Sequence, residues 1–218
     1  MKKSLCIMLC LLLMFGLSAC GNSPGGAGTS VPTTTTTQAP APTTTTTATT
    51  TKPATTDATD GTKVEITMED GGIILLQMDE TAAPLSVENF LKLVGEGFYD
   101  GLTFHRIAKG FVIQGGDPDG TGGGGPGYTI KGEFTVNGWE NNLSHTRGVL
   151  SMARRPDYDS AGSQFFIVLE DATFLDGEYA AFGKVIEGMD VVDAIAAVET
   201  SNDEPIDPVV MKTVRIVE

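Results

Sequence analysis

A change of composition near residue 62 constrains the fold of this 218-residue chain more than any other feature. From residue 21 to about residue 62 the sequence is almost only Thr, Pro, Ala, Gly and Ser, with threonine runs at 33–37 and 43–47. Such a segment cannot bury enough apolar surface to offset the chain entropy that is lost on folding. We therefore expect one folded domain at 63–218, preceded by a disordered linker at 20–62.

The first twenty residues have the layout of a secretory signal. Lys2 and Lys3 precede an apolar run at 5–17, which is shorter than the about 20 residues of a membrane-spanning helix. The sequence Leu-Ser-Ala-Cys that ends at Cys20 resembles the lipobox of bacterial lipoproteins. The resemblance implies a signal peptide at 1–19, a lipid on Cys20, and anchoring on the extracytoplasmic face of the cell membrane. An ordinary cleaved signal and an uncleaved anchor are the alternatives.

The charge and the cysteines exclude several classes of function. The chain has 28 acidic against 14 basic residues, a formal charge of −14, which repels phosphate backbones. We therefore expect no nucleic-acid partner. Cys6 and Cys10 lie inside the predicted signal peptide, so that after lipidation of Cys20 no thiol would remain for disulfides, metals or nucleophilic catalysis.

The folded part alternates short apolar runs with glycine-rich joints. Residues 64–68 and 73–78 flank an Asp-Gly-Gly turn, which is typical of a hairpin. Apolar residues recur at helical spacing from Pro84 to Gly95, and again over 189–196. About eight strands and two helices result, which suggests a closed or nearly closed barrel with the helices as plugs.

Three blocks of this sequence resemble cyclophilins. They are 104–107 with 110–117, then 148–153 and 162–167, and their order and spacing are those of that family. The resemblance covers essentially all of 63–218. It implies a mainly β fold in which an eight-stranded antiparallel closed barrel is capped by two α-helices. It also implies an outer groove that binds an X-Pro dipeptide, and the activity of a peptidyl-prolyl cis-trans isomerase.

The resemblance assigns the predicted catalytic group and the proline pocket. Arg106 would be the catalytic arginine, and Phe111, Val112 and Phe166 would line the pocket. Rotation about a prolyl amide is slow because its resonance must be broken, at a cost of about 18–20 kcal/mol. A catalyst needs an apolar slot for the ring and a fixed cation or donor that favours the twisted amide. Arginine suits this because it stays charged and presents several donors in one plane. No cofactor and no titrating acid or base is required.

Further positions correspond to contacts with the flanking peptide. Gln114 and Gln164 would contact the substrate backbone near the bond that rotates. Ala153 and Arg154 fall on the segment that binds the peptide main chain.

Three more residues match positions of the groove wall, namely Phe174, Leu175 and Tyr179. The best-known eukaryotic members carry Trp where this chain has Phe174, and His where it has Tyr179. Phenylalanine lacks the indole N–H donor, which puts the affinity for cyclosporin in doubt but affects the expected catalysis less.

Other candidate sites fail on their sequence patterns. The run that begins at Asp117 starts like a calcium loop, but Tyr128 stands at its twelfth position, where a bidentate Glu is needed. We therefore expect no metal. The glycines at 122–125 are expected to form a flexible surface turn. A Ser-His-Asp hydrolase would have to use His105 or His145, and the folded part has no Gly-x-Ser-x-Gly elbow. We expect His105 to be a satisfied, partly buried histidine and His145 to be an ordinary loop residue.

Two functions remain open at this point. The first is an isomerase that speeds the folding of secreted or surface proteins. The second is a non-catalytic surface module of the same fold that holds Pro-containing segments. Both have X-Pro-containing polypeptides as partners, and for both we expect a monomer.

Overall fold

The structure, a computed structural model, describes residues 61–218. The predicted signal peptide at 1–19, the predicted lipid attachment at Cys20 and all but the last two residues of the predicted linker lie outside the described residues. Within 61–218, no helix is long and apolar enough to cross a membrane.

The described part contains ten strands and two α-helices. In chain order they are β1 Lys63–Met68, β2 Ile73–Met78, α1 Pro84–Gly95, β3 Phe104–Ala108, β4 Val112–Gly115, β5 Val149–Met152, β6 Phe165–Val168, β7 Ala181–Glu187, α2 Met189–Ala197, β8 Thr200–Ser201, β9 Glu204–Pro205 and β10 Met211–Val217. The predicted hairpin, β1 with β2, and both predicted helices are confirmed.

Eight strands form one antiparallel sheet in the order β10-β1-β2-β7-β5-β6-β4-β3. The prediction of a closed barrel is wrong, because in the described part of the chain no ladder joins the two outer strands and the sheet is an open half-barrel. Among residues 61–218, the two edges are connected only by an isolated bridge, Thr103 with Val210. Beyond that bridge, β3 meets the small β8–β9 hairpin instead of β10, and the Ile107 N–H donates to the Asp203 carbonyl at 2.6 Å. The hairpin thus occupies the edge that closure would need.

Helix α1 packs against the sheet through an aromatic cluster. Phe90 lies 5.1–5.5 Å, between ring centres, from Tyr99, Phe165 and Phe182. The first turn of α1 has no side-chain cap of its own. The buried carboxylate of Glu133 accepts hydrogen bonds from the Leu85 and Ser86 backbone N–H groups instead.

Strand alternation divides the apolar side chains between two clusters. On β4 and β6, Ile113 and Ile167 belong to the main core. Their neighbours Val112 and Phe166 belong to a second, smaller apolar cluster. This second cluster positions the candidate site.

Candidate active site

A cavity of about 190 Å³ lies over the second apolar cluster. Nine of the predicted site residues line it, and all of its lining residues had been predicted: Arg106, Phe111, Val112, Gln114, Ala153, Arg154, Phe166, Leu175 and Tyr179. The structure therefore brings together residues that lie up to 73 positions apart in the sequence. Their individual roles stay predictions.

The apolar part of the cavity rests on two paired strands. Val112 on β4 and Phe166 on β6 are both at most 5% exposed. The Tyr179 ring meets the Phe166 ring edge-on, with 5.9 Å between ring centres. A slot of this kind can hold a small apolar ring such as that of proline.

Phe174 takes a different position from the other predicted wall residues. It is 73% exposed and does not line the cavity. Its ring stacks on Phe111, with 5.7 Å between centres and 24° between planes. Phe174 therefore extends the groove outward and supports Phe111 from the solvent side.

The polar side of the cavity is a row of three side chains. Arg106 on β3 donates from Nη1 to Gln114 Oε1 at 3.4 Å, across the β3–β4 pairing. Gln114 donates from Nε2 to Gln164 Oε1 at 2.9 Å. Gln164 lies just outside the cavity, and its backbone carbonyl accepts from the Ala153 N–H. A guanidinium and two amides thus border the apolar slot, an arrangement that can bind peptide carbonyl and N–H groups beside a proline ring.

A carboxylate at the tip of the β8–β9 hairpin lies close to Arg106. Its Nη2 lies 3.5 Å from Asp203 Oδ2, and the two side chains are 41% and 49% exposed. An ion pair this exposed is worth little energy. The guanidinium therefore remains available to a ligand.

The side chain of Arg154 points away from the slot, into an aromatic cage. Its guanidinium lies 4.5–5.2 Å from the ring centres of Phe134, Tyr158 and Tyr179. It also donates from Nε to the Glu178 carbonyl at 3.0 Å. Arg154 can therefore contribute its backbone to a bound peptide, as predicted for this segment, while its side chain is already occupied.

Comparison with known proteins identifies the family. The family model described as cyclophilin type peptidyl-prolyl cis-trans isomerase/CLD matches residues 63–216. Peptidyl-prolyl cis-trans isomerase B of Bacillus subtilis (strain 168) is 49% identical over 149 residues, which cover 68% of this chain and 94% of the relative. This chain belongs to the cyclophilin-type peptidyl-prolyl cis-trans isomerases.

Two further relatives agree with this assignment. Peptidyl-prolyl cis-trans isomerase A of Dickeya dadantii (strain 3937) is 41% identical over 175 residues, covering 74% of this chain and 87% of the relative. A crystal structure of a Cryptosporidium parvum cyclophilin, determined in the presence of the dipeptide Ala-Pro, has a TM-score of 0.66 and 34% identity, covering 72% of this chain and 99% of that one. The predictions of a cyclophilin and of an isomerase are confirmed. The lipid anchor at Cys20 stays a prediction.

A second cavity of this cyclophilin, of about 380 Å³, adjoins the first and was not predicted. The glycine-rich loop at 122–127 forms one wall, and Gln114, Ala153 and Arg154 are shared with the first cavity. The loop was expected to be a flexible surface turn, but its backbone is bound by the buried side chain of Asp117. The Gly122 and Gly124 N–H groups donate to Asp117 Oδ2 at 2.6 and 3.2 Å. An Asp followed by glycines is a known turn former, which is the signal that could have indicated this.

A polar cluster behind the cyclophilin's slot was not predicted from the sequence. His145 was expected in a surface loop, but its side chain is buried against Phe166, with 6.1 Å between ring centres. Its Nδ1 lies 2.8 Å from Asp176 Oδ1 and its Nε2 lies 3.0 Å from Ser151 Oγ. Ser, His and Asp meet here, but Ser151 is fully buried and no substrate could reach its hydroxyl. The cluster supports the floor of the slot.

His105, next to Arg106, differs from its prediction as well. It is partly buried, as expected, but neither ring nitrogen has a hydrogen-bond partner among residues 61–218. Burial lowers the pKa of the His105 imidazole, since the charged form would lose its hydration; Asp117 opposes this and Arg106 adds to it. The ring is therefore kept neutral beside the guanidinium.

Proposed function

We propose that this cyclophilin accelerates X-Pro isomerisation during the folding of secreted or surface proteins, from a lipid-anchored position on the extracytoplasmic side of the cell membrane. The isomerase activity itself follows from the family. The compartment and the clients are the new elements of the proposal, together with the assignment of roles to residues.

The observation that carries the residue roles is the row Arg106, Gln114 and Gln164 beside an apolar slot with Phe166 at its floor. The slot holds the proline ring by burying its apolar surface. The two amides hold the flanking backbone. The ring and the chain on either side of the prolyl bond are then fixed by different groups, and rotation about that bond is the motion left to the substrate.

Arg106 acts on the twisted amide. When conjugation is broken, the proline nitrogen gains a lone pair and becomes a better hydrogen-bond acceptor. A guanidinium donates to that nitrogen more strongly in the twisted state than in either planar state, which lowers the barrier without making or cutting a bond. The Ala-Pro dipeptide named for the Cryptosporidium relative supports a dipeptide-sized ligand of this kind.

The test of activity measures exchange of a short X-Pro peptide by NMR with the purified full chain and its Arg106→Ala variant. We expect the variant to lose about 100-fold or more of kcat/KM, as is typical when a charge-stabilising donor is removed. Arg215→Ala is a matched control, because Arg215 also pairs with an aspartate, the partly exposed Asp100, and is about as exposed as Arg106. Peptide binding by the wild-type chain without faster exchange would favour the alternative of a non-catalytic binding module.

The test of location compares cells that produce the wild-type chain with cells that produce Cys20→Ala. The proposal predicts that wild-type protein is in the membrane fraction, is accessible from outside the cytoplasm, and has the mass of a chain starting at residue 20 plus lipid. The variant should lose the lipid mass and leave the membrane fraction. A cytoplasmic, unprocessed wild-type protein would refute this part while leaving the isomerase intact. Sizing of the detergent-solubilised protein tests the expected monomer.

A further inference from the structure

Asp117 is a buried carboxylate that organises the start of the glycine-rich loop. Only 1% of the residue is exposed. Its Oδ1 accepts from the Asp119 N–H at 2.8 Å, and its Oδ2 accepts from the N–H groups of Thr121, Gly122 and Gly124 at 3.1, 2.6 and 3.2 Å. Four backbone donors between residues 119 and 124 thus converge on one side chain.

The held loop is connected to Arg106 by an unbroken row of hydrogen bonds. The Gly124 carbonyl accepts from Gln164 Nε2 at 2.9 Å. Gln164 Oε1 accepts from Gln114 Nε2 at 2.9 Å, and Gln114 Oε1 accepts from Arg106 Nη1 at 3.4 Å. The row runs from a buried anion, through the N–H and the carbonyl of Gly124 and two side-chain amides, to the predicted catalytic cation.

The two ends of this row determine its direction. The Gly124 carbonyl can only accept, and the Arg106 guanidinium can only donate. Gln164 must therefore turn its NH₂ group toward Gly124, which leaves its oxygen for Gln114. Gln114 then turns its own oxygen toward Arg106. If the Gly124 carbonyl moved away, only the long 3.4 Å contact with Arg106 would still orient the two amides, and Gln114 Oε1 would be held less firmly beside the guanidinium.

We propose that Asp117 is a positioning residue for Arg106, which acts by fixing the Gly124 carbonyl and, through it, the orientation of Gln164 and Gln114. This inference rests on the proposed role of Arg106 in the isomerase. It accounts for a buried acid that the expected chemistry does not use.

Two further observations support the role of Asp117. Burial opposes its ionisation, but the N–H groups of Asp119, Gly124 and Gly122 outweigh this and lower the pKa of the carboxyl, so the side chain is an anion throughout the neutral range. Gly124 also packs against it so closely that a Cβ there would collide with Asp117 Oδ1. The loop is therefore built around this carboxylate.

The first test is Asp117→Asn, which keeps the shape of the side chain but removes the charge and half of the acceptor capacity. We expect kcat/KM to fall by roughly tenfold at a temperature where the variant is fully folded, since small displacements of a catalytic group have effects of this size. Asp119→Asn is the matched control. It also removes one negative charge, but from an exposed side chain two residues after Asp117, and it should leave kcat/KM unchanged. A folded Asp117→Asn variant with wild-type kcat/KM would overturn the proposal.

A double-mutant cycle separates positioning of Arg106 from a direct effect on substrate contacts. If Asp117 acts through Arg106, adding Asp117→Asn to Arg106→Ala should change kcat/KM by less than about twofold, because the group that it positions is gone. A tenfold loss in both backgrounds would contradict the proposal and assign the effect to the amides' own contacts with the peptide.

Gly124→Ala is a second variant, in case Asp117→Asn does not fold. Its Cβ should displace the loop from Asp117 and reproduce the loss of activity. The Nε–Hε signal of Arg106 in ¹⁵N NMR spectra reports the position of the guanidinium without any turnover. We expect that signal to shift in Asp117→Asn and Gly124→Ala but not in Asp119→Asn. If Arg106→Ala proves fully active, the proposed function of Arg106 fails; an unchanged Arg106 signal in the loop variants is the result that refutes positioning.

Discussion

The Arg154 guanidinium lies 4.5 Å from the centre of the Tyr179 ring, and this contact joins the two apolar clusters of the domain. Phe134, on the other side of the guanidinium, belongs to the main core, whereas Tyr179 packs on the cluster under the proline slot. Only 8% of the Arg154 side chain is exposed. A cation in this position links the wall of the groove to the core.

Arg154→Met should therefore both destabilise the domain and loosen the groove. We expect the free energy of unfolding to fall by about 2 kcal/mol, the scale of a desolvated cation–π contact, and KM for an X-Pro peptide to rise. Arg154→Lys keeps the charge but not the planar donors, so its free energy of unfolding and its KM should lie between those of Arg154→Met and the wild-type protein. Urea denaturation and steady-state kinetics measure the two effects.

The neighbouring Arg155 is the control for stability, since it is exposed and has no aromatic cage. Arg155→Met should change the free energy of unfolding by no more than about 0.5 kcal/mol. Equal losses in the two methionine variants would show that the cage contributes nothing beyond surface charge.

Glu133→Gln should weaken the start of α1. The Glu133 carboxylate accepts from the Leu85 and Ser86 N–H groups at 2.9 and 2.8 Å, and from Ser86 Oγ at 2.7 Å. Glutamine has one acceptor oxygen, so at least one of these three donors loses its partner, at a cost of about 1–3 kcal/mol. Chemical denaturation measures the loss. Glu88→Gln, on an exposed position of the same helix, should be nearly neutral, and a similar loss there would argue against a specific cap.

The regular elements were predictable because their signals are local. Alternation in β1 and β2, and helical spacing after Pro84, are complete within a dozen residues. The open sheet was not predictable, because it depends on whether the edge of β3 meets β10 or the β8–β9 hairpin. Both possible partners of β3 lie about a hundred residues away in the sequence, and no local pattern indicates which of them pairs with it.

The candidate site also combines features that have a local sequence signal with features that depend on tertiary contacts. The slot residues lie in sequence blocks typical of the family, so they could be located from the sequence. The burial of His145 depends on Asp176, which is 31 residues away, and the cage of Arg154 depends on three rings from separate segments. A polar residue in a loop segment is usually exposed, and only the tertiary structure reveals the partners that bury it.

Phe174→Trp should strengthen the binding of cyclosporin. Phe174 is largely exposed at the outer end of the groove and stacks on Phe111, so an indole can replace it without a clash in the core. The indole adds an N–H donor, and one added hydrogen bond corresponds to roughly a tenfold gain in affinity. Inhibition of X-Pro exchange measures the change. Phe174→Met, which offers no N–H, should not bind more tightly, and equal affinities of the Trp and wild-type proteins would contradict the role of the donor.

Stability should fall as the pH drops below about 6.5, because the two histidines of the chain are held neutral in the folded state. Burial is the main cause that lowers the pKa of both rings; it is opposed at His145 by Asp176 and at His105 by Asp117 and Glu204. Near pH 6.5 the histidines bind protons in the unfolded chain but not in the folded chain, so acid favours unfolding. The contribution is complete above pH 6.5 and is lost as the pH falls. Urea denaturation between pH 7.5 and 5 measures it.

The double variant His105→Leu, His145→Gln should flatten this dependence. Each histidine can add a slope of at most about 1.4 kcal/mol per pH unit, and both slopes vanish when the rings are replaced. Asp100, Asp117 and Asp176 do not add to the slope between pH 7.5 and 5. Their pKa values are lowered in the folded state, so their contribution to the free energy of unfolding is lost only in stronger acid. His145→Gln alone should remove only part of the slope, because His105 remains. The glutamine amide can still bond Ser151 and Asp176, so this variant should stay folded. A double variant whose stability still falls steeply from pH 7 to 5 would show that groups other than the histidines control it.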